Sequence, residues 1–297
     1  MRSALAERLG AEVVEATPQH GGFSPGAAAR LRLSDGRRVF AKAAGKVPNP
    51  ETPEVYRREA NVAARLPPEV PAPRFLLSLE AAEWVVLVLE DIDGEHPHLP
   101  WTVRELGMVK DVIGRLAAAL TPTPLPDLPR LSDDEFRGFA ELTGEAATAS
   151  ALEGLDGWVS RHLDRLAALE SGWAEAATGR TLLHTDIRAD NLLVKGDDIY
   201  VIDWPHASIG PAWADLLFML PSVAMQGGPD PWTLFDAHPV QARADPERVT
   251  AVLCGLAGYF VCEARRPAPP GLPTLRAFQR AQGEQAVRWL RRRLGWR

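Results

Sequence analysis

Between residues 182 and 203 the sequence gathers side chains suited to one kind of chemistry. The stretch Leu182-Leu-His-Thr-Asp-Ile-Arg-Ala-Asp-Asn-Leu-Leu-Val194 carries His184, Asp186 and Asn191, and Asp203 follows twelve residues after Asn191 in Val201-Ile-Asp-Trp204. Asp186, Asn191 and Asp203 offer two carboxylates and an amide oxygen, hard ligands that suit Mg²⁺. One carboxylate can stay free to orient and deprotonate a hydroxyl while the other groups hold metal-bound phosphates. Phosphoryl transfer asks for that division of labour: positioning and charge neutralisation, with little covalent chemistry by the protein. Asp and Asn also favour turns, yet turn-making alone does not account for three of them in register with a hairpin.

Lysine usage adds a second marker. Only four of the 33 basic residues are Lys, at positions 42, 46, 110 and 195, so each is an exception to a strong preference for Arg. Lys42 sits among Phe40, Ala41, Ala43 and Ala44, an apolar setting for a lone ammonium. Glu59 lies 17 residues further on, beside Arg57 and Arg58. By residue type alone it could equally make helix-surface ion pairs worth about 0.2–0.5 kcal/mol.

Elements of two textures must position these groups. Strands are predicted at 12–17, 27–33 and 38–43, with a glycine-bearing loop at 20–26 and a Ser34-Asp-Gly36 turn. A helix follows over 54–66, with Thr52 as its cap and Pro53 at its first position, and is ended by Pro67-Pro68. Strands at 75–79 and 83–89 complete an N-terminal lobe, residues 1–92. From 93 to 297 the pattern is mainly helical. Leu106, Val109, Val112, Ile113, Leu116 and Leu120 form a stripe at helical spacing over 102–120, and further helices are predicted around 134–143 and 157–177. Short strands are predicted at 181–184, 192–195 and 199–202, then helices again from 213. The fold class expected is α+β and bilobal, a small antiparallel-sheet N-lobe followed by a mainly helical C-lobe.

The motif His184-x-Asp186-x-x-x-x-Asn191, followed by Ile202-Asp-Trp204, resembles the catalytic and metal-binding loops of the aminoglycoside phosphotransferase family, which shares the protein-kinase-like fold. Order and spacing extend the resemblance over residues 12–260. Val39-Phe-Ala-Lys42 looks like the strand presenting the kinase lysine, and Glu59 stands where its partner glutamate belongs. Val86-Leu-Val-Leu-Glu-Asp-Ile-Asp-Gly94 resembles the interlobe hinge, and Gly210-Pro-Ala-Trp-Ala-Asp215 the helix start whose aspartate braces the catalytic loop. The resemblance implies roles. Lys42, held by Glu59, would contact the α- and β-phosphates of ATP or GTP, a task for a compact ammonium. Loop 21–26 would cover the phosphates with backbone N–H groups, Ser24 adding its hydroxyl. The Glu90 carbonyl and Ile92 N–H would read the nucleobase. Asp186 would be the catalytic base, Asn191 and Asp203 the Mg²⁺ ligands, and His184 and Asp215 scaffolding. Trp204 would lie near nucleotide or acceptor. Three departures stand out: Thr185 where many relatives have Gly, Pro25 in an irregular glycine loop, and Arg188 where protein kinases often carry a Lys at the γ-phosphate. A fixed cation at Arg188 could stabilise developing charge.

The formal net charge of −6, with 33 basic and 39 acidic residues, removes the basic footprint that a nucleic-acid binder needs. Two cysteines, Cys254 and Cys262, cannot make a disulfide scaffold. Met1–Leu9 lacks a signal-peptide core, and the longest apolar run, 249–262, is too short to span a bilayer, so a cytoplasmic protein with no membrane partner is expected. Segment 132–156 holds seven acids and one base, Arg137. An acidic wall there would concentrate a cationic acceptor, while a solvated helix face explains it equally well. The reading that follows is a small-molecule O-phosphotransferase using Mg²⁺ and ATP or GTP, its favoured acceptor an aminoglycoside or other cationic antibiotic or secondary metabolite. Alternatives are a kinase of a choline-like or amino-alcohol metabolite, or a catalytically silent nucleotide-binding regulator of the same fold. Protein hydroxyls are disfavoured because no Ala-Pro-Glu segment follows Asp203.

Overall fold

The computed structural model describes residues 2–19, 26–81, 83–145 and 154–297. The chain divides into two compact units, each discontinuous in sequence. The first takes in Met1–Pro97, Ala189–Ala207 and Pro270–Leu272; the second takes in His98–Arg188, Ser208–Pro269 and Pro273–Arg297.

In the first unit, α1 (Arg2–Leu9) precedes β1 (Val13–Gln19), β2 (Ala27–Leu33) and β3 (Arg38–Ala44), and α2 (Thr52–Ala63) leads on to β4 (Phe75–Ala81) and β5 (Trp84–Glu90). The strands form one antiparallel sheet in the order β1-β2-β3-β5-β4. Gly36, at φ +88°, makes the β2–β3 turn in a region closed to most side chains. Side chains alternate across each strand. Val86 and Val88 of β5 therefore join Leu33, Val39 and Ala41 in a core completed by Leu5 and Leu9 of α1. Leu87 and Leu89 face the other way, onto Ala60 of α2. Because Lys42 pairs with Leu87, it falls on the α2 face.

Helix α2 begins one residue earlier than the sequence suggests, with Glu51 at the cap making no side-chain cap bond. It ends at Ala63, where the Arg65 N–H donates to Val62 O in a tightened last turn ahead of Pro67. Helix α1 was not anticipated at all.

The second unit opens with α3 (Val103–Ala119), where the Thr102 hydroxyl accepts from the Glu105 N–H (3.2 Å) and donates to the Glu105 carboxylate (2.7 Å), a local capping arrangement. Its expected stripe is buried. Helices α4 (Gly138–Glu145), α5 (Gly157–Glu170) and α6 (Trp173–Ala176) follow, the expected 157–177 helix being broken at Ser171-Gly172. After β6 (Thr181–Leu183), the hairpin β7 (Leu192–Lys195) and β8 (Asp198–Val201) belongs to the first unit. In the second unit, β9 (Ser208–Gly210) pairs with β6, and α7 (Ala214–Met225), α8 (Pro231–Ala237), α9 (Pro246–Glu263) and α10 (Leu275–Leu294) complete the chain. Helices α4 and α9 meet at Gly138 and Gly258; a Cβ on Gly138 would stand 2.0 Å from the Gly258 carbonyl oxygen. Cys254 and Cys262 are buried in α9 and unbridged. Among the described residues no helix is long and apolar enough to cross a membrane.

Candidate active site

Within the first unit, Lys42 is the centre of a part-buried charge cluster, of which Glu59 is the buried member. Its Nζ donates to both Glu59 oxygens at 2.8 Å and to Asp203 Oδ1 at 2.7 Å. Three separate stretches of chain make this possible. Strand alternation turns Lys42 towards α2, and helical spacing puts Tyr56, Glu59 and Ala60 on the buried side of that helix. The β7–β8 hairpin brings in Asp203. That hairpin is fixed to the first unit by paired backbone bonds between Glu95 and Val194 (3.0 and 2.7 Å) and by the Val201 N–H donating to Pro71 O (2.7 Å). Burial opposes the Lys42 ammonium, but the Glu59 and Asp203 charges outweigh it and raise its pKa, so the lysine stays charged. Burial and the like charge of Asp203 push Glu59 upward, with Lys42 acting against them.

Asn191, also in the first unit, is buried, and its carbonyl accepts from the Ile202 N–H at 3.0 Å. The hairpin thus brings Asn191 alongside the residue before Asp203. Asp203 adopts φ +68°, a left-handed conformation rare outside glycine. Among the described residues no three or more His, Cys, Asp or Glu side chains gather as a metal cage. An amide oxygen and a carboxylate fit Mg²⁺, which keeps phosphate and water oxygens among its ligands. Trp204, next to Asp203, is buried and donates from Nε1 to Val201 O at 2.9 Å as a support of the hairpin.

At the end of β5, Glu90 holds Arg74 through its side chain (3.1 Å to Nε), and its N–H donates to Arg74 O at 2.9 Å. Ile92 is buried, and its carbonyl accepts from Arg30 at 3.2 Å. Between them Asp91, with its side chain only 1% exposed, meets Arg30 at 3.4 Å and Arg38 at 2.9 Å. The sequence reading passed over this arrangement: an Asp after a strand looks like a turn residue, and only the β2–β3 register brings the two arginines to one face. Ser24 and residues 21–25 of the glycine loop lie outside the described residues.

In the second unit, β6 delivers the loop that carries Asp186. Asp215, in the first turn of α7, accepts from the His184 N–H (3.0 Å) and the Thr185 N–H (2.7 Å). Burial raises its carboxyl to about 6 against those two donors. His184 is fully buried, and its Nδ1 accepts from the Asp186 N–H at 3.2 Å. Thr185 takes φ +66°, the conformation for which glycine is suited. Arg188 hydrogen-bonds to Asp186 Oδ1, and its guanidinium stands 5.4 Å from the Phe278 ring centre. The expected site residues thus fall into two sets: Lys42, Glu59, Glu90, Ile92, Asn191 and Asp203 in the first unit, Asp186 and Arg188 in the second.

Residues 20–252 match the model of APH, the phosphotransferase enzyme family, over more than half of the chain. The chain belongs to that family. As an APH phosphotransferase it shares its protein-kinase-like fold with solved small-molecule kinases. One is a thermostable mutant of the aminoglycoside phosphotransferase APH(4)-Ia in complex with ADP and hygromycin B, at 16% identity and TM-score 0.61, covering 98% of each chain. A choline/ethanolamine kinase family protein from Mesorhizobium loti is 15% identical with TM-score 0.58, covering 93% of this chain and 88% of its own. A macrolide 2'-phosphotransferase type I is 18% identical with TM-score 0.55, covering 96% and 94%. No curated protein matches the sequence. At these identities the likeness is one of fold, and the acceptors named for these neighbours differ widely.

Proposed function

We propose that this APH phosphotransferase moves the γ-phosphoryl group of Mg·ATP, or of GTP, to a hydroxyl of a small molecule. The observation that carries the reading is the part-buried cluster of Lys42, Glu59 and Asp203, an ammonium fixed between two carboxylates from separate stretches of chain. Lys42 binds the α- and β-phosphates, and Glu59 keeps its ammonium in place. Asn191 and Asp203 would hold Mg²⁺, which supplies neutralising charge at the phosphate oxygens. The backbone at Glu90 and Ile92 reads the nucleobase, and the Ser24 hydroxyl helps to cover the phosphates. Asp186 orients the acceptor hydroxyl and takes its proton, and Arg188 offsets charge that develops on the transferring group. Supply of nucleoside triphosphate fits a cytoplasmic setting.

A cationic antibiotic or a choline-like alcohol is the acceptor class that the acidic stretch 132–156 favours, and two neighbours are named for such molecules. Among its described acids, Glu135 meets Arg137 at 3.6 Å and Glu141 meets Arg266 at 2.7 Å. The test of the reaction class is an acceptor-dependent ADP assay with product mass read by spectrometry. Asp186→Ala is expected to lower kcat by about 10²–10⁴-fold while Mg·ATP binding persists. A variant as active as the wild type, or a wild type that binds no Mg·ATP, would remove the proposal.

A further inference from the structure

Tyr56 lies one helical turn before Glu59 on the buried side of α2 and is only 3% exposed. We infer that it is a positioning residue for the phosphate end of the nucleotide site, tying the end of the glycine loop to the Lys42 ammonium through one side chain. The inference rests on reading Lys42 and loop 21–26 as the elements that meet the phosphates.

The first argument is what the ring touches. Ala44 of β3 and Val85 of β5 join Tyr56 in a small buried cluster, with Val55 packed against it. Those two strands also carry Lys42 and its register partner Leu87, so the ring is anchored to the part of the sheet that presents the lysine. Lys42 Nζ stands 5.7 Å from the ring centre, within the range at which an ammonium is attracted to an aromatic face. The hydrogen bonds of that ammonium go to Glu59 and Asp203, and Glu59 shares α2 with Tyr56. One helix therefore holds the lysine twice, by a carboxylate and by a ring.

The second argument is what the hydroxyl touches. Gly26 closes the glycine loop in sequence and leads into β2, where Ala27 pairs with Ala43 and Ala28 with Lys42. A Cβ on Gly26 would overlap the Tyr56 hydroxyl oxygen, and it would stand 2.8 Å from Tyr56 Cζ and 3.0 Å from the Ala43 carbonyl oxygen. The glycine leaves room that the tyrosine fills. A phenol packed into a buried cluster has little freedom to yield, so it fixes how closely the start of β2 approaches α2. The place where the loop ends relative to Lys42 is fixed with it. A phosphate chain that meets both the loop and the ammonium depends on that spacing, and a nucleoside without phosphates does not.

The experiment measures binding of Mg·ATP and of adenosine to the whole chain by calorimetry, with Mg·GTP and guanosine run in parallel. Lys42→Ala tests the underlying reading and should weaken the triphosphate at least about tenfold while leaving the nucleoside unchanged. Tyr56→Phe, which keeps the ring and loses the hydroxyl, should weaken the triphosphate about threefold, and Tyr56→Leu about tenfold, again with the nucleoside unchanged. Gly26→Ala should cost about tenfold by itself and little more when combined with Tyr56→Leu, because the atoms it would strike are then gone. Melting curves separate loss of fold from loss of binding, and Tyr56→Phe keeps the test decisive if Tyr56→Leu does not fold. A triphosphate-to-nucleoside ratio moved by Lys42→Ala but unmoved by Tyr56→Phe and Gly26→Ala would overturn the inference and leave the phosphotransferase reading standing. Losses at Gly26 and Tyr56 that simply multiply in the double variant would overturn it as well. A wild type that binds no Mg·ATP or Mg·GTP, or a ratio unmoved by Lys42→Ala, would remove both readings.

Discussion

Thr185, next to Asp186, and Asp203, on Lys42, each take a left-handed backbone, φ 66° and 68°. For Asp203 the conformation is tolerable, since a short polar side chain can bond locally, and it aims the carboxylate at Lys42. For Thr185, β-branched, it is a cost of about 1–2 kcal/mol, sustained by the Asp215 carboxylate that grips the Thr185 N–H. Thr185→Gly is expected to raise unfolding stability by about 0.5–1 kcal/mol in urea titrations, part of the relief being lost to the greater freedom of glycine when unfolded. A loss of stability would show that the threonine side chain outweighs the backbone strain. At this scale Lys42 was legible as a rare lysine in an apolar run, whereas Glu59 was marked as its partner only by the family resemblance, since by residue type alone it could equally make surface ion pairs. Asp91 was not, since its partners Arg30 and Arg38 come from strands whose register no local pattern reveals.

At the scale of elements, the linker after β5 is held by the Asp91 ion pairs and by Arg30 on the Ile92 carbonyl. Asp91→Ala leaves two arginines without that partner and frees the backbone proposed to read the nucleobase. The expected result is a rise in KM for ATP of about tenfold with a smaller change in kcat; an unchanged KM would separate the clamp from nucleotide binding. Elsewhere, Glu170 at the end of α5 caps the start of α4, accepting from Phe139 N–H at 3.2 Å and Ala140 N–H at 2.9 Å. Burial raises its carboxyl from 4.5 to about 7 in spite of those donors. A folded value above the unfolded one means that the folded chain holds the proton more tightly. Its contribution is fully present below pH 4.5 and is lost as pH rises towards 7. Between pH 5 and 7.5 the wild type should therefore lose on the order of 1–3 kcal/mol relative to Glu170→Gln, read from urea midpoints; parallel pH profiles would refute it. Of the elements themselves, long periodic ones such as α3 were readable. Helix α1 was not, because its two core leucines acquire meaning only against the sheet, and β9 has three residues, too few to show alternation.

For the whole molecule, two textures along the chain, sheet then helix, indicated an α+β chain in two parts, and the motif resemblance added the kinase-like fold. The interleaving of the units was not readable from composition, since the hairpin 192–201 resembles any other hairpin until its backbone pairing with Glu95 and Pro71 is seen. The first unit draws on three stretches of sequence and the second on three, so the chain crosses from one to the other repeatedly. Such connectivity couples their unfolding. Far-UV circular dichroism, weighted to the helices, and tryptophan fluorescence, which includes Trp84 and Trp204 of the first unit, should give coincident urea midpoints. Two separated midpoints would show the halves melting independently. The same connectivity bears on how members of this family can be recombined. A chimera joined once, at residue 97, would pair one parent's lysine and glutamate with the other parent's aspartate, because Asp203 is encoded in the later part of the gene. Exchange of acceptor preference between relatives therefore calls for further junctions, at 188/189 and 207/208, so that the hairpin travels with the strand it serves.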